Sequence, residues 1–420
     1  LNTITAACLF GEPGSGKSYC MGSFLEMGLA PIPGVNLLPM PLASVVFHYS
    51  PSPAYKPEMA ASAIPNDNAQ QLETLKERYG ADPTAVEEVL LLAPQEMVPV
   101  RREEFPGVDC ARLAFHPREL TAMHWKILMG AVGEDDSLYF QVMNQILRKH
   151  REKVTIDLIR RDVEASELTK SDKDRAAVRL KLASDYIDID APPIGSHLKR
   201  GRLVIVDLRD EYIQKKEALA LAIVMLQVFA DTTDHGKPIQ KIFTFDEAHK
   251  YLRDEFLVDI LTETIREMRH KATSVLIASQ DPPSIPQTII ELASLMVVLR
   301  MSAPQWVRHI QKVKLAYEEV VAARVADLKP GEALVWCKYA SDAGYMARPY
   351  RVGIRPRASK HGGDTKSAVS TAAPAAAETA SDAAASDDTA GEDRGAGADA
   401  GADAERSAQT DQPAGTGARA

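Results

Sequence analysis

The sequence predicts an α/β fold with a mostly parallel central sheet, and three observations carry that expectation. Apolar strand-like runs alternate with helix-like runs through the second half of the chain, the pattern of a sheet covered by helices on both faces. A glycine-rich octet, Gly11-Glu12-Pro13-Gly14-Ser15-Gly16-Lys17-Ser18, joins the first strand run to the first helix run. A third run, Ile242-Phe243-Thr244-Phe245, ends in the acid pair Asp246-Glu247.

Taken in order, residues 4–10 read as a buried strand and residues 19–29 as a helix. A second strand covers 43–48 and stops at the proline-rich Tyr49-Ser50-Pro51-Ser52-Pro53. From about 56 to 195 the pattern turns mainly helical, with helices at 69–79, 117–132, 137–149 and 171–186, and this stretch is expected to be a helical insertion. Strands return at 202–208, 241–245, 274–279 and 295–300, separated by helices at 216–229 and 255–269. The run 219–229 is apolar nearly all round, which predicts a core helix covered on every side. Short runs at 333–336 and 347–354 are expected to add edge strands. From Pro356 onward Ala, Gly, Ser, Thr, Asp and Glu dominate, so residues 1–355 are expected to form the folded domain and 356–420 a disordered acidic tail.

The chain's net charge is −9, and the eleven acids and four bases of residues 361–420 account for −7 of it, leaving −2 for the rest. Acidity therefore belongs to the tail and does not exclude a nucleic-acid partner. The four cysteines, Cys8, Cys20, Cys110 and Cys337, are scattered without metal-ligand spacing, which points to a reduced, cytoplasmic setting and no protein-bound zinc. The longest apolar run falls short of the roughly 20 residues that span a bilayer, so no membrane association is expected. The chain opens at Leu1, nearly inside its first strand, which suggests an upstream domain outside this sequence or an unusual start codon.

The octet has the form G-x-x-x-x-G-K-S of a phosphate-binding loop. Its glycines let backbone N–H groups wrap a triphosphate at the positive end of the following helix. Residues Gly11 to Ser18 and the adjoining Tyr19 are the expected nucleotide contacts, with Lys17 on the β/γ-phosphates and the Ser18 hydroxyl on Mg²⁺. Asp246 is expected to hold the same Mg²⁺, and Glu247 to orient or deprotonate the attacking water. The strand ending Ser279-Gln280 places Gln280 beside the γ-phosphate as a sensor. Asp246-Glu247-Ala248-His249 also spells a box used by helicases with two fused motor domains. Only about 110 ordered residues follow Glu247, too few for a second domain of usual size. Asp207, which ends a strand, reads as structural, and Arg148-Lys149-His150-Arg151 as a basic run on the surface. Arg269 lies near a helix end, where the dipole favours a cation.

The order of phosphate loop, helical insertion, Asp-Glu-Ala-His, R-x-x-R (Arg266 to Arg269), a strand ending in Ser279-Gln280 and a strand ending in Arg300 resembles the HerA/FtsK group of ring-shaped DNA-translocating ATPases, closest to the HerA-like branch. The resemblance covers most of residues 1–355. It implies a RecA-like P-loop domain that binds ATP and Mg²⁺, assembles as a homo-oligomer, a hexamer, around double-stranded DNA, and hydrolyses ATP between subunits. It further implies that Arg269, eleven residues before Gln280, acts as an arginine finger in the neighbouring subunit's site, with a helix-end role as its other reading and Arg300 as the competing finger candidate, and that a nuclease partner or a phage-defence role is in scope. Two departures stand out: Met268 holds a place where the group has glycine, and His48-Tyr49-Ser50 stands where the group has an acid. The alternatives are an ATP-dependent switch or assembly subunit of a defence or secretion complex that moves no DNA, and a scaffold that holds nucleotide without hydrolysis. Intact Lys17, Ser18, Asp246 and Glu247 argue against the scaffold.

Overall fold

The computed structural model describes residues 5–130 and 138–363; the remaining residues, including most of the expected tail, lie outside the described residues. Twelve strands occur in chain order: β1 (Ala6–Phe10), β2 (Ala43–Ser50), β3 (Glu88–Ala93), β4 (Asp109–Arg112), β5 (Arg202–Arg209), β6 (Thr233–Asp234), β7 (Lys237–Pro238), β8 (Lys241–Phe245), β9 (Thr273–Ser279), β10 (Leu295–Val298), β11 (Glu332–Cys337) and β12 (Tyr350–Gly353). Ten of them form one sheet in the order β12-β11-β10-β1-β9-β8-β2-β5-β3-β4, while β6 and β7 pair as a short separate ribbon. Strands β10 through β4 run parallel along that order. The two C-terminal strands are antiparallel and close one edge, as the short runs at 333–336 and 347–354 anticipate.

The central strands are apolar on both faces because helices cover both, the usual condition of a parallel sheet. One face packs on Lys17–Leu29 and the other on Lys215–Ala230. The second helix is buried nearly all round, as its composition requires. Its one polar interior residue, Gln227, is satisfied on both sides by His124 Nε2 at 2.9 Å and Thr264 Oγ1 at 2.9 Å. Among the described residues no helix is long and apolar enough to cross a membrane.

Two boundaries differ from the sequence expectation. The insertion does not begin near residue 56, because β3 and β4 lie inside that stretch and extend the central sheet beyond β5. Val89-Leu90-Leu91-Leu92 is a continuous apolar run, and such a run cannot be told from a buried helical segment by periodicity alone. The helical part is confined to residues between β4 and β5, where Trp125, Tyr139, Met143, Ile159 and Leu180 build a separate small core.

The domain also runs past residue 355. Ala358 and Ser359 donate their backbone N–H groups to the Glu26 carboxylate, both at 3.0 Å, and Arg355 Nη1 lies 2.6 Å from it. Arg357 is fully buried against Gly22, where any β-carbon would collide with its guanidinium. Composition missed this segment because polar groups anchor it to a buried carboxylate and large apolar residues contribute nothing. A chain ending at residue 363 is expected to melt at the temperature of the full chain. One ending at 355 should melt many degrees lower, since an unpaired buried charge costs about 3–5 kcal/mol; thermal unfolding of the two truncations checks this.

Candidate nucleotide site

The parallel sheet delivers the expected residues to one edge. The loop after β1, the acid pair after β8 and Gln280 after β9 all leave the carboxyl ends of adjacent or next-but-one strands. Gly14 and Gly16 have φ of 75° and 91°, left-handed values that glycine adopts without steric cost. Gly11 has no room for a side chain, since a β-carbon would meet Ser15 Oγ and come within 2.9 Å of Leu299 Cβ. The loop opens directly into the helix Lys17–Leu29, so its amides and the helix dipole face the same space.

Lys17 is almost completely buried, with Nζ 2.6 Å from Glu247 Oε1 and 3.6 Å from Asp246 Oδ1. Burial alone would lower the ammonium's pKa, but the two carboxylates outweigh it and hold Lys17 charged. Gln280 Nε2 donates to the same Oε1 at 2.6 Å, so the structure brings Lys17, Glu247 and Gln280 together. Glu247 itself sits at φ 48°, a left-handed conformation that costs a non-glycine residue on the order of 1–3 kcal/mol. Non-glycine strain of this kind is concentrated where chemistry fixes the geometry.

Two residues that sequence reasoning missed complete the cluster. His48, in the place where the resembled group has an acid, lies with Nδ1 3.0 Å from Asp246 Oδ2 and Nε2 2.8 Å from the Tyr55 carbonyl. Both partners accept, so both ring nitrogens donate and His48 is an imidazolium. Burial lowers its pKa, yet the hydrogen bond and charge of Asp246 outweigh that and the net shift is upward. Burial likewise raises Asp246, but Lys17 and His48 hold it well below the usual carboxylate range. Glu58 follows β2 on the short helix Glu58–Ala63 and accepts a hydrogen bond from Ser18. Burial and the nearby Asp246 push its pKa up. The sequence marks His48 only as a departure from the resembled group; its contact with Asp246 follows from the pairing of β2 with β8, which cannot be read before the strand order is known.

Other expected residues fall around this centre. Asp207 is fully buried between Arg101 Nε at 2.8 Å and Arg209 Nη2 at 2.7 Å, a structural ion cluster as anticipated. Arg300 Nε is bound at 2.9 Å by Glu12 of its own loop, whose other oxygen accepts from Ser302. The Tyr19 side chain is turned to the C-terminal segment, donating to Gln71 at 2.9 Å and accepting from the Arg357 N–H at 2.7 Å. The backbone of Arg269 lies in the turn Met268–Lys271; its side chain lies outside the described residues.

Four buried oxygens here, Ser15 Oγ, Glu58 Oε2, Asp246 Oδ1 and Glu247 Oε2, have no hydrogen-bond partner. Basic side chains lie within ion-pair distance of three of them: Lys17 of Asp246 Oδ1, His249 of Glu247 Oε2 and His361 of Glu58 Oε2. An oxygen-rich set of this kind beside a glycine loop fits a hard cation such as Mg²⁺, with Ser18 and Asp246 as the oxygen ligands.

By sequence, no family model and no curated protein matches the chain. Solved structures do match. The plasmid coupling protein TrwB bound to a non-hydrolysable GTP analogue has a TM-score of 0.51 at 12% identity, over 84% of this chain and 86% of that one. The chain shares the fold of that coupling protein. Weaker similarity extends to VirB4 of Thermoanaerobacter pseudethanolicus, at TM-score 0.48 and 11% identity over 84% and 89% of the two chains. A genome packaging NTPase, B204 from Sulfolobus turreted icosahedral virus 2, follows at TM-score 0.33 and 10% identity over 80% and 94%.

The raised pKa of His48 sets a pH dependence. Its contribution to stability is complete below the unfolded value near 6.5 and is lost as pH rises through the higher folded value. In EDTA, the melting temperature of the wild type should therefore fall between pH 6 and pH 9. His48→Asn, which keeps one donor and cannot ionise, should lose part of that slope; an unchanged slope means the imidazolium assignment is wrong.

Proposed function

We propose that the protein is an ATP-hydrolysing motor that works as a ring, a hexamer, on double-stranded DNA in the cytoplasm, and that it takes Mg²⁺ with the nucleotide. The observation that carries the reading is the convergence of Lys17, Ser18, Asp246, Glu247 and Gln280 on one buried space. Lys17 is paired with Glu247. A triphosphate in the loop competes for that ammonium, and Lys17 moves to the β/γ-oxygens. Glu247 is then released to accept a proton from the attacking water. Gln280, still on the carboxylate, is placed to register the loss of the γ-phosphate. Bound Mg²⁺, held by Ser18 and Asp246, would supply charge neutralisation for the transferred phosphoryl group.

A ring is supported by an electrostatic shortage. Arg300, the arginine in contact with the loop, is already held by Glu12, so charge developing on the transferred group calls for a cation from a neighbour. Arg269 is the proposed donor. The resemblance of motif order and the shared fold support DNA as the track, and a phage-defence system with a nuclease partner as the setting.

ATP turnover measured with and without duplex DNA tests the motor directly. Duplex DNA should stimulate hydrolysis; turnover indifferent to DNA would favour the switch or assembly reading. Lys17→Ala should abolish nucleotide binding or turnover. Glu247→Gln should keep ATP bound and stop turnover by a factor of about 10² or more, because it removes the base and leaves the Mg²⁺ ligands in place.

The shared site has its own test. Arg269→Ala should cut turnover by about 10³ or more while sparing ATP affinity. Mixing Arg269→Ala with Glu247→Gln subunits should restore activity, since an intact Glu247 can then meet an intact Arg269 across an interface. Mixed rings that form and stay inactive at every ratio would remove the case for a trans-acting arginine.

A further inference from the structure

The helical part of the domain carries a charge pattern that the nucleotide site does not use. Residues 138–184 hold eleven bases and seven acids, against a net of −9 for the whole chain. The excess gathers where the helix Leu138–His150 ends and the turn Arg151–Lys153 follows. Arg148, Lys149 and His150 occupy the last helical turn, where the dipole favours cations, so those three have a local explanation. Arg151 and Lys153 lie past the helix end and do not share it.

Compensation within the fold runs out at this point. Asp162 alone serves three bases: Lys149 Nζ at 2.7 Å, His150 Nε2 at 2.7 Å and Arg161 Nη2 at 3.2 Å. Arg148, Arg151 and Lys153 are exposed, and none has an ion pair among the described residues. Arg151 also adopts φ 48°, one of four non-glycine residues with positive φ among those described. Another of the four is Glu247, at the nucleotide site. A left-handed arginine with Arg148 and Lys153 close by in sequence, none of them ion-paired among the described residues, is unfavourable for the isolated chain on two counts, conformation and like-charge repulsion. A polyanion with closely spaced charges relieves the second.

We infer that Arg148, Arg151 and Lys153, where the helix Leu138–His150 ends, contact the phosphate backbone of duplex DNA. This rests on the DNA-motor reading above and adds to it the surface that holds the track. Contacts of this kind position without reading sequence, so binding should be indifferent to base composition and steeply dependent on salt.

The test measures binding of a fluorescently labelled duplex by anisotropy across a series of NaCl concentrations. It uses the full chain and the triple variant Arg148→Gln, Arg151→Gln, Lys153→Gln. Each lost phosphate contact lowers the slope of log K against log salt by about 0.9, so the triple variant should lose about 2.7 and bind at least roughly tenfold more weakly near 0.1 M salt. ATP turnover without DNA and the melting temperature should stay at wild-type values, because these side chains neither pack in a core nor reach the nucleotide loop. A control triple, Lys76→Gln, Arg78→Gln, Lys312→Gln, removes the same charge from elsewhere on the surface. An unchanged slope in the first variant, or an equal loss in the control, overturns the inference. Wild-type protein that binds no duplex at all would sink the DNA-motor reading along with it, whereas wild-type binding with an unaffected triple variant discards this surface alone.

Discussion

The ion pair between Lys17 and Glu247 sets the demands that the rest of the site meets. An ammonium and two carboxylates share a space from which water is nearly excluded, and each ion there has given up hydration worth several kcal/mol. Such a group is tolerable only if every charge is matched. The sheet order provides the matching: β9 lies between β1 and β8, so Gln280 is delivered between the loop lysine and the acid pair, and β2 lies on the far side of β8, bringing His48 to Asp246. A different strand order with the same motifs would leave one of these charges alone.

The supporting contacts extend well beyond the motifs. The Tyr55 carbonyl that fixes His48 belongs to the proline-rich loop after β2, and Arg209 Nη1 holds that loop through the Pro53 carbonyl at 2.8 Å. Arg209 is in turn clamped by Asp207 and Glu104, and Arg101 closes the cluster. Replacing such buried ions by apolar groups is often neutral or stabilising, so stability alone does not account for them. Their geometric result is a fixed path of contacts from Arg101 to Asp246. That path orients the imidazolium against a carboxylate whose second oxygen, Oδ1, lies 3.6 Å from the Lys17 ammonium.

What was legible in the sequence was local. The octet, the acid pair and Ser279-Gln280 each sit at the end of an apolar run, and a parallel sheet brings such ends together whatever the intervening chain does. The helix at residues 69–79 and the covered helix after β5 were equally readable, because periodicity or its absence decides them. Non-local facts were not. Whether Val89-Leu90-Leu91-Leu92 forms a strand depends on an open edge beside β5, and His48 acquires a role only when β2 pairs with β8. The segment after residue 355 was misread for a different reason. Its anchor, Glu26, lies over three hundred residues earlier in an otherwise ordinary helix, and nothing near Arg357 announces that this arginine is buried.

The charge count of the site explains how so many buried ions can coexist. Lys17 and His48 balance Asp246 and Glu247, while burial favours the neutral form of Glu58, whose carboxyl group rests on Ser18. A magnesium-bound triphosphate brings net negative charge, and only mobile cations or protons can offset it. Lys17 has a flexible stem and two alternative anionic partners, so it can change allegiance without leaving a carboxylate bare for long. His48 cannot, because its ring is fixed at both nitrogens. On the proposed reading His48 would hold Asp246 still and Lys17 would carry the switch. The freed Glu247 carboxylate, still held by Gln280, would on that reading be a base already in position.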